Sequence, residues 1–345
     1  MSAQTLTPAR TALNVTSPRE DAVTAFLGAL LVGGVLTDAW AHTNRLATIE
    51  SFFTPWHAML YTGFTATAGW TVWLAYRRRA TARWWRDAWP AGYAVGALGA
   101  AMFAVGGVGD MLWHTIFGIE VGLDAALSPS HLMIDLGSVL LLTSPMRSWW
   151  STAEGGLRAA AGVVSMALGA TMAAVLLLNV SPFVRPAPTE PYVPGLSNAE
   201  HLTAVRGLGS YLITTVLLVV PFLLAHRRRA TFGAATVLVA FVSAFVIITF
   251  DLPRVETTAA VAAVVGAALA DLAVVRLDAV RRIDAPLRLP IAGAVVAALV
   301  WSGHLLGLHL AAGVAWPPEL WAGTIVLASL LAALLGGLAS RPRQW

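Results

Sequence analysis

Two stretches of the chain carry ionisable residues of the same types in the same order. Each has an Asp, a His four residues later, a Glu, and a second His two residues after a proline. The residues are Asp38, His42, Glu50 and His57 in the first stretch, and Asp110, His114, Glu120 and His131 in the second. Four of the eight histidines in the chain therefore belong to one recurring pattern, which we interpret as an internal repeat that builds a metal site.

The spacing within each stretch places potential ligands on one side of a helix. Residues four apart share a helix face, so each Asp points with its neighbouring His, and Asp135 points with His131 in the same way. The chain has no cysteine, which excludes disulfides and thiolate ligands. Imidazole and carboxylate groups suit copper, iron, zinc or manganese, and we expect copper first, then iron or zinc. The predicted metal ligands are His42, His57, His114, His131, Asp38, Asp110 and Asp135.

The number of metal ions stays open at this stage. The matched halves can hold either one shared ion or a pair of ions. Glu50 and Glu120 lie in the segments that connect the ligand-bearing helices, and we expect them to act as catalytic bases. No glycine-rich cofactor motif occurs in the sequence, so no organic cofactor is expected.

The elements that position these residues are predicted to be membrane helices. The composition is 57% hydrophobic and 12% charged, about half the charge of a soluble domain. The pairs Thr54-Pro55 and Ser128-Pro129 each read as an N-cap followed by a first-turn proline, and each begins a helix with a His in its first turn. We predict an all-α, polytopic transmembrane bundle of about ten spans: 22–42, 54–76, 89–111, 129–146, 157–180, 201–225, 231–250, 256–275, 289–311 and 319–339.

Arginine placement predicts the orientation of these spans. The chain has 22 basic residues, all arginine, and with both termini in the cytoplasm 18 of them face inward, as the positive-inside rule requires. The same topology places both Asp/His stretches at the extracytoplasmic end of their helices. The arginines that raise the pI are explained by the positive-inside rule, so the high pI does not indicate nucleic-acid binding.

The predicted organisation has four parts. Residues 1–20 form a cytoplasmic tail, and residues 21–180 form a membrane domain that contains the recurring hairpin unit. Residues 181–200 form a proline-rich external loop, and residues 201–345 contain the second group of spans. The roles of His201, His304 and His309 are left open.

The motif of Asp, His four residues later, and a further His some 15 residues on resembles the copper-ligand pattern in the C subunit of the copper membrane monooxygenases. The correspondence covers Asp38, His42 and His57, and again Asp110, His114 and His131. The distance to the last His is a few residues longer here, and the pattern occurs twice. The resemblance implies a copper-binding site at these residues. The chain as a whole resembles multi-spanning bacterial membrane proteins.

Together these features predict a cell-membrane protein with an outward-facing metal site. The main hypothesis is a copper- or iron-dependent oxidoreductase that acts on a small or lipid-like substrate, with electrons supplied by a partner subunit. A zinc-dependent membrane hydrolase, a proton- or metal-coupled transporter, and a subunit whose site is structural are the alternatives. Transport requires a polar route to the cytoplasm, and the inner halves of the predicted spans offer few polar residues.

Overall fold

The computed structural model describes residues 14–45, 52–81, 85–118, 122–152, 154–228, 232–279 and 284–340. Within these ranges the chain is all-helical and forms no strand. The helices are α1 (Pro18–Asn44), α2 (Pro55–Arg78), α3 (Ala94–Phe117), α4 (Leu123–Leu127), α5 (Pro129–Leu142), α6 (Ser144–Thr152), α7 (Leu157–Val175), α8 (Ala199–Arg227), α9 (Ala234–Thr249), α10 (Arg254–Ala279), α11 (Ala285–Ala312) and α12 (Pro318–Ser340). Short 3₁₀ turns occur at Arg79–Thr81, Trp85–Ala88, Leu178–Val180 and Ala187–Thr189.

A helix lies in each of the ten predicted spans, but fewer helices are both long and apolar enough to cross a bilayer. In the described part of the chain seven meet that condition: α1, α3, α7, α8, α10, α11 and α12. Helix α2 has 24 residues, yet four threonines interrupt its apolar sequence. Helices α5 and α9 have only 14 and 16 residues, or about 21 and 24 Å at the helical rise, against a hydrocarbon core of about 30 Å. The chain is thus a multi-pass membrane protein with seven clear candidate spans.

The first half of the chain contains two antiparallel helix pairs, α1 with α2 and α3 with α5. Glycines allow the backbones of each pair to meet. A Cβ added to Gly34 would lie 2.6 Å from the Cα of Leu60, and one added to Gly106 would lie 3.0 Å from the backbone N of Ile134. Small residues at such crossings are the usual device of membrane helix packing.

Helix α7 joins these pairs to the rest of the bundle. It contacts α1, α5, α6, α8 and α9, and 78% of its most apolar stretch is buried inside the protein. Two hydrophobic clusters meet at this helix. The smaller lies mainly among α1, α2, α3 and α5, and the larger packs α7 and α8 to α12 together. Two of the ligand-bearing helices, α1 and α5, therefore pack directly against the buried helix α7.

A polar network fixes the N-terminal end of α1 against α6 and α7. The Arg158 guanidinium donates to the Asp21 carboxylate at 2.9 Å, and both side chains are almost completely buried. The hydroxyls of Thr16, Tyr93 and Ser148 also donate to Asp21 at 2.7 to 3.0 Å. A buried charge pair is tolerated when its remaining hydrogen-bonding capacity is satisfied in this way.

Candidate metal centre

The first group of ligands lies where α1 ends and α2 begins. Asp38 and His42 occupy the last two turns of α1, and His57 occupies the first turn of α2. The Asp38 Oδ1 atom lies 3.3 Å from His57 Nε2 and 3.9 Å from His42 Nε2. One ligand atom from each residue lies within 4.8 Å of the other two, which is close enough for all three to bind a single ion. We call Asp38, His42 and His57 the first triad.

The second group of ligands has the same arrangement at the end of α3 and the start of α5. Asp110 Oδ1 lies 3.1 Å from His131 Nε2 and 3.4 Å from His114 Nε2. These three residues, the second triad, also bring one ligand atom each within 4.8 Å of the others. As their four-residue spacing predicts, Asp38 and His42 share one face of α1, and Asp110 and His114 share one face of α3.

The two triads are neighbours. The ring of His114 lies 6.3 Å from that of His42 and 6.2 Å from that of His57, measured between centroids. Within the triads the ring separations are similar, at 5.5 Å for His42 and His57 and 6.0 Å for His114 and His131. All four histidines of the recurring pattern consequently form one cluster with two carboxylates.

Backbone carbonyls orient three of the four imidazoles. The Nδ1 atom of His57 bonds to the Phe52 carbonyl, that of His114 to the Gly118 carbonyl at 3.2 Å, and that of His131 to the Ala125 carbonyl at 2.6 Å. Because a carbonyl only accepts, each of these Nδ1 atoms carries a proton, and Nε2 is the ring atom that faces the triad. Metal-binding histidines are commonly held by such an outer hydrogen bond.

Two buried atoms of the cluster have unused hydrogen-bonding capacity. Asp38 Oδ1 and His114 Nε2 are shielded from solvent and have no hydrogen-bond partner among the described residues. Both atoms are lone-pair donors directed into the cluster. A bound cation would satisfy a buried carboxylate oxygen and an imidazole nitrogen at once, so the residues present fit a metal ion.

A cavity of about 390 Å³ opens beside the triads. Its lining includes Asp38, His42 and His57 of the first triad, and Asp110 and His131 of the second. Further lining residues come from the ligand-bearing helices and from two other segments, around Val175 to Asn179 and Thr249 to Phe250. The cluster is thus accessible from a defined space in the protein.

The remaining predicted site residues are placed differently. Asp135 lies outside both triads but lines the cavity. Glu50 and Glu120, the expected catalytic bases, lie outside the described residues.

The other histidines lie away from the cluster. His304 is fully buried and bonds to the Tyr211 hydroxyl at 2.9 Å. His201 packs beside Tyr192, and His309 is exposed. His226 lies 3.5 Å from Asp278.

Tyr61 is a lining residue that sequence reasoning missed. It lies four residues after His57, as Asp135 lies four residues after His131. Both residues line the cavity. Extending the comparison of the two stretches by one helical turn beyond His57 and His131 would therefore have identified Tyr61. The Tyr61 hydroxyl donates to the Gly107 carbonyl at 3.4 Å.

Comparisons of the chain with protein-family models, with curated proteins and with solved structures found no match. The assignment of a function therefore depends on the geometry of the site.

Proposed function

We propose that this membrane protein is a copper- or iron-dependent oxidoreductase whose metal centre is formed by the two triads. The observation that carries the proposal is the pair of complete Asp/His/His triads, each with its ligand atoms within 4.8 Å. Two imidazoles and one carboxylate leave coordination positions open, which is the arrangement that non-haem iron oxygenases use, and imidazole-rich sites also bind copper. The local resemblance to copper membrane monooxygenases points in the same direction.

The separation of the ligands favours one ion in each triad. The ligand atoms that lie within 4.8 Å of one another form two separate sets of three, one from each helix pair. The matching contacts of Gly34 with Leu60 and of Gly106 with Ile134 support the interpretation of the two helix pairs as an internal repeat. Each copy of the repeat then contributes one triad and one ion.

The chain's own groups have defined tasks in this proposal. The imidazole Nε2 atoms and the carboxylates of Asp38 and Asp110 bind the ions, and the carbonyls of Phe52, Gly118 and Ala125 hold the rings in place. A bound copper or iron ion would supply one-electron and oxygen chemistry. The substrate enters the cavity beside the triads, and a partner subunit delivers electrons.

The arginine distribution supports an extracytoplasmic location for the centre, because 18 of the 22 arginines lie on the opposite side in the predicted topology. A transporter is the less favoured alternative. The described lining of the cavity comes from one end of the helices, and the residues near Asp21 and Arg158 at the other end form a satisfied ion-pair network. That arrangement suits an enclosed reaction site better than a passage.

Elemental analysis of purified protein tests the proposal. We expect copper or iron at one ion per triad, with one ion lost in Asp38→Asn or Asp110→Asn and both lost in the double variant His57→Ala/His131→Ala. His309→Ala is the matched control, since His309 is exposed, belongs to neither triad and does not line the cavity. Zinc in place of copper or iron would favour hydrolysis. Wild-type protein that binds no metal would contradict the proposal.

A further inference from the structure

The cavity beside the triads has the size of a binding site for a small molecule. Its volume of about 390 Å³ lies near the lower end of the range of roughly 300 to 1,000 Å³ for ligand pockets. The apolar part of its lining is formed by Val35, Leu60, Ile134, Val175, Leu178 and Phe250. The cavity therefore offers apolar surface for a hydrocarbon group beside the metal ligands.

The charges around the cavity restrict the head group of its ligand. Three carboxyl groups line it, those of Asp38, Asp110 and Asp135, and no arginine is present among the described lining residues. The sequence contains no lysine. A carboxylate or phosphate head placed at Asp135 would face a second acidic group there, which disfavours an anion at that end of the ligand.

Asp135 is placed to accept a hydrogen bond from a ligand. Its side chain is 5% exposed and faces the cavity, and its carboxyl group makes no hydrogen bond to a described residue. A ligand that carries a donor can therefore bond to this carboxyl group at the cavity wall. At the matching position the Tyr61 hydroxyl already donates to Gly107. The two halves of the site therefore differ, and the carboxyl group that can accept from a ligand lies one helical turn after His131.

We propose that the cavity binds a small molecule with a hydrogen-bond-donating head group, a hydroxyl or an amine, and a short apolar tail. The head bonds to Asp135 next to the second triad, and the tail packs against the apolar wall around Leu178 and Phe250. The inference rests on the proposed function, because this molecule is taken to be the substrate of the metal centre.

Calorimetric titration of the purified, metal-loaded protein with n-hexanol, n-hexylamine and hexanoate tests the inference. We expect the alcohol, the amine or both to bind through Asp135, whereas any binding of hexanoate, which has no donor for Asp135, should not depend on that residue. Asp135→Leu should weaken binding of the preferred probe by roughly tenfold or more. Asp135→Asn, which keeps an acceptor but removes the charge, should weaken the amine far more than the alcohol and so distinguish the two heads.

A cavity-filling variant supplies a second readout. Ala39 lines the cavity, so Ala39→Phe should abolish probe binding. Val23→Phe adds the same ring on the exposed face of the same helix and should leave binding unchanged. Unchanged binding of both the alcohol and the amine in Asp135→Leu, or unchanged binding in Ala39→Phe, would overturn the inference.

Metal content measured on the same samples separates the two proposals. Protein that contains its full metal but binds none of the three probes refutes the substrate inference alone. Protein that contains no metal refutes the proposed function.

Discussion

Single atoms around the imidazoles determine how well the triads are organised for a metal. The caps that begin α2 and α5 are both formed as the sequence predicts, with Thr54 and Ser128 accepting from the backbone N–H of His57 and His131. The two caps differ in one respect. The Ser128 hydroxyl also lies 2.9 Å from His131 Nδ1, whereas the His57 ring is oriented by the Phe52 carbonyl alone.

This difference predicts unequal effects of two similar substitutions. Ser128→Ala and Thr54→Ala each remove a cap worth about 1 kcal/mol of stability. Only Ser128→Ala also removes a contact to a ligand ring, and loss of such outer contacts lowers metal affinity by about 10- to 100-fold. Competition with a chelator should show a clear loss of affinity in Ser128→Ala and little in Thr54→Ala. Equal affinities in the two variants would show that Ser128 acts only as a cap.

At the scale of the helices, the close crossings of α1 with α2 and of α3 with α5 hold together the helix ends that carry each triad. Gly34 and Gly33 provide a direct comparison in α1. A Cβ at Gly34 would meet the backbone of Leu60 and the carbonyl of Met59 at 2.6 to 2.9 Å, whereas one at Gly33 would meet no atom within 4 Å. Backbone atoms cannot move aside cheaply, so the effect of a methyl group should differ sharply between the two neighbours.

We expect Gly34→Ala to separate α1 from α2, to destabilise the protein by about 1 to 3 kcal/mol and to reduce metal loading. Gly33→Ala should leave both properties near those of the wild type. Thermal unfolding in detergent and elemental analysis measure the two effects. Similar melting temperatures for the two variants would mean that the close crossing is not needed for stability.

Much of this local structure is predictable from the sequence, because it depends on short-range geometry. The Asp/His pairs four residues apart and the hydroxyl–proline helix starts are such features. The end of α5 at Leu142 is less apparent, since the apolar sequence continues and only Pro145, which lacks a backbone N–H and favours the first turn of a new helix, marks the break. The wall of the cavity around Leu178 and Phe250 could not be predicted, because it depends on how distant helices pack.

At the scale of the whole molecule, the cavity and the buried ion pair of Asp21 and Arg158 lie at opposite ends of the bundle. The segment that follows Asn179 leaves from the cavity end, and the segment before Leu157 lies at the ion-pair end. The proposed metal centre therefore lies at the end of the bundle from which the segment with the exposed Glu190 leaves.

Labelling with a membrane-impermeant maleimide tests this orientation against a background free of cysteine. In intact cells Glu190→Cys should react, because it is exposed and belongs to the predicted external loop. Gly155→Cys, exposed near the ion-pair end, should react only after the cells are permeabilised. The reverse pattern would place the metal centre on the cytoplasmic side.

The ion pair between Asp21 and Arg158 also has a consequence for the order in which the protein is made. The two residues are separated by 137 positions in the chain, and a ribosome adds about 5 to 20 residues per second. Arg158 is therefore synthesised on the order of ten seconds after Asp21. Until α7 enters the membrane, the Asp21 carboxylate therefore lacks the cation that pairs with it in the finished protein.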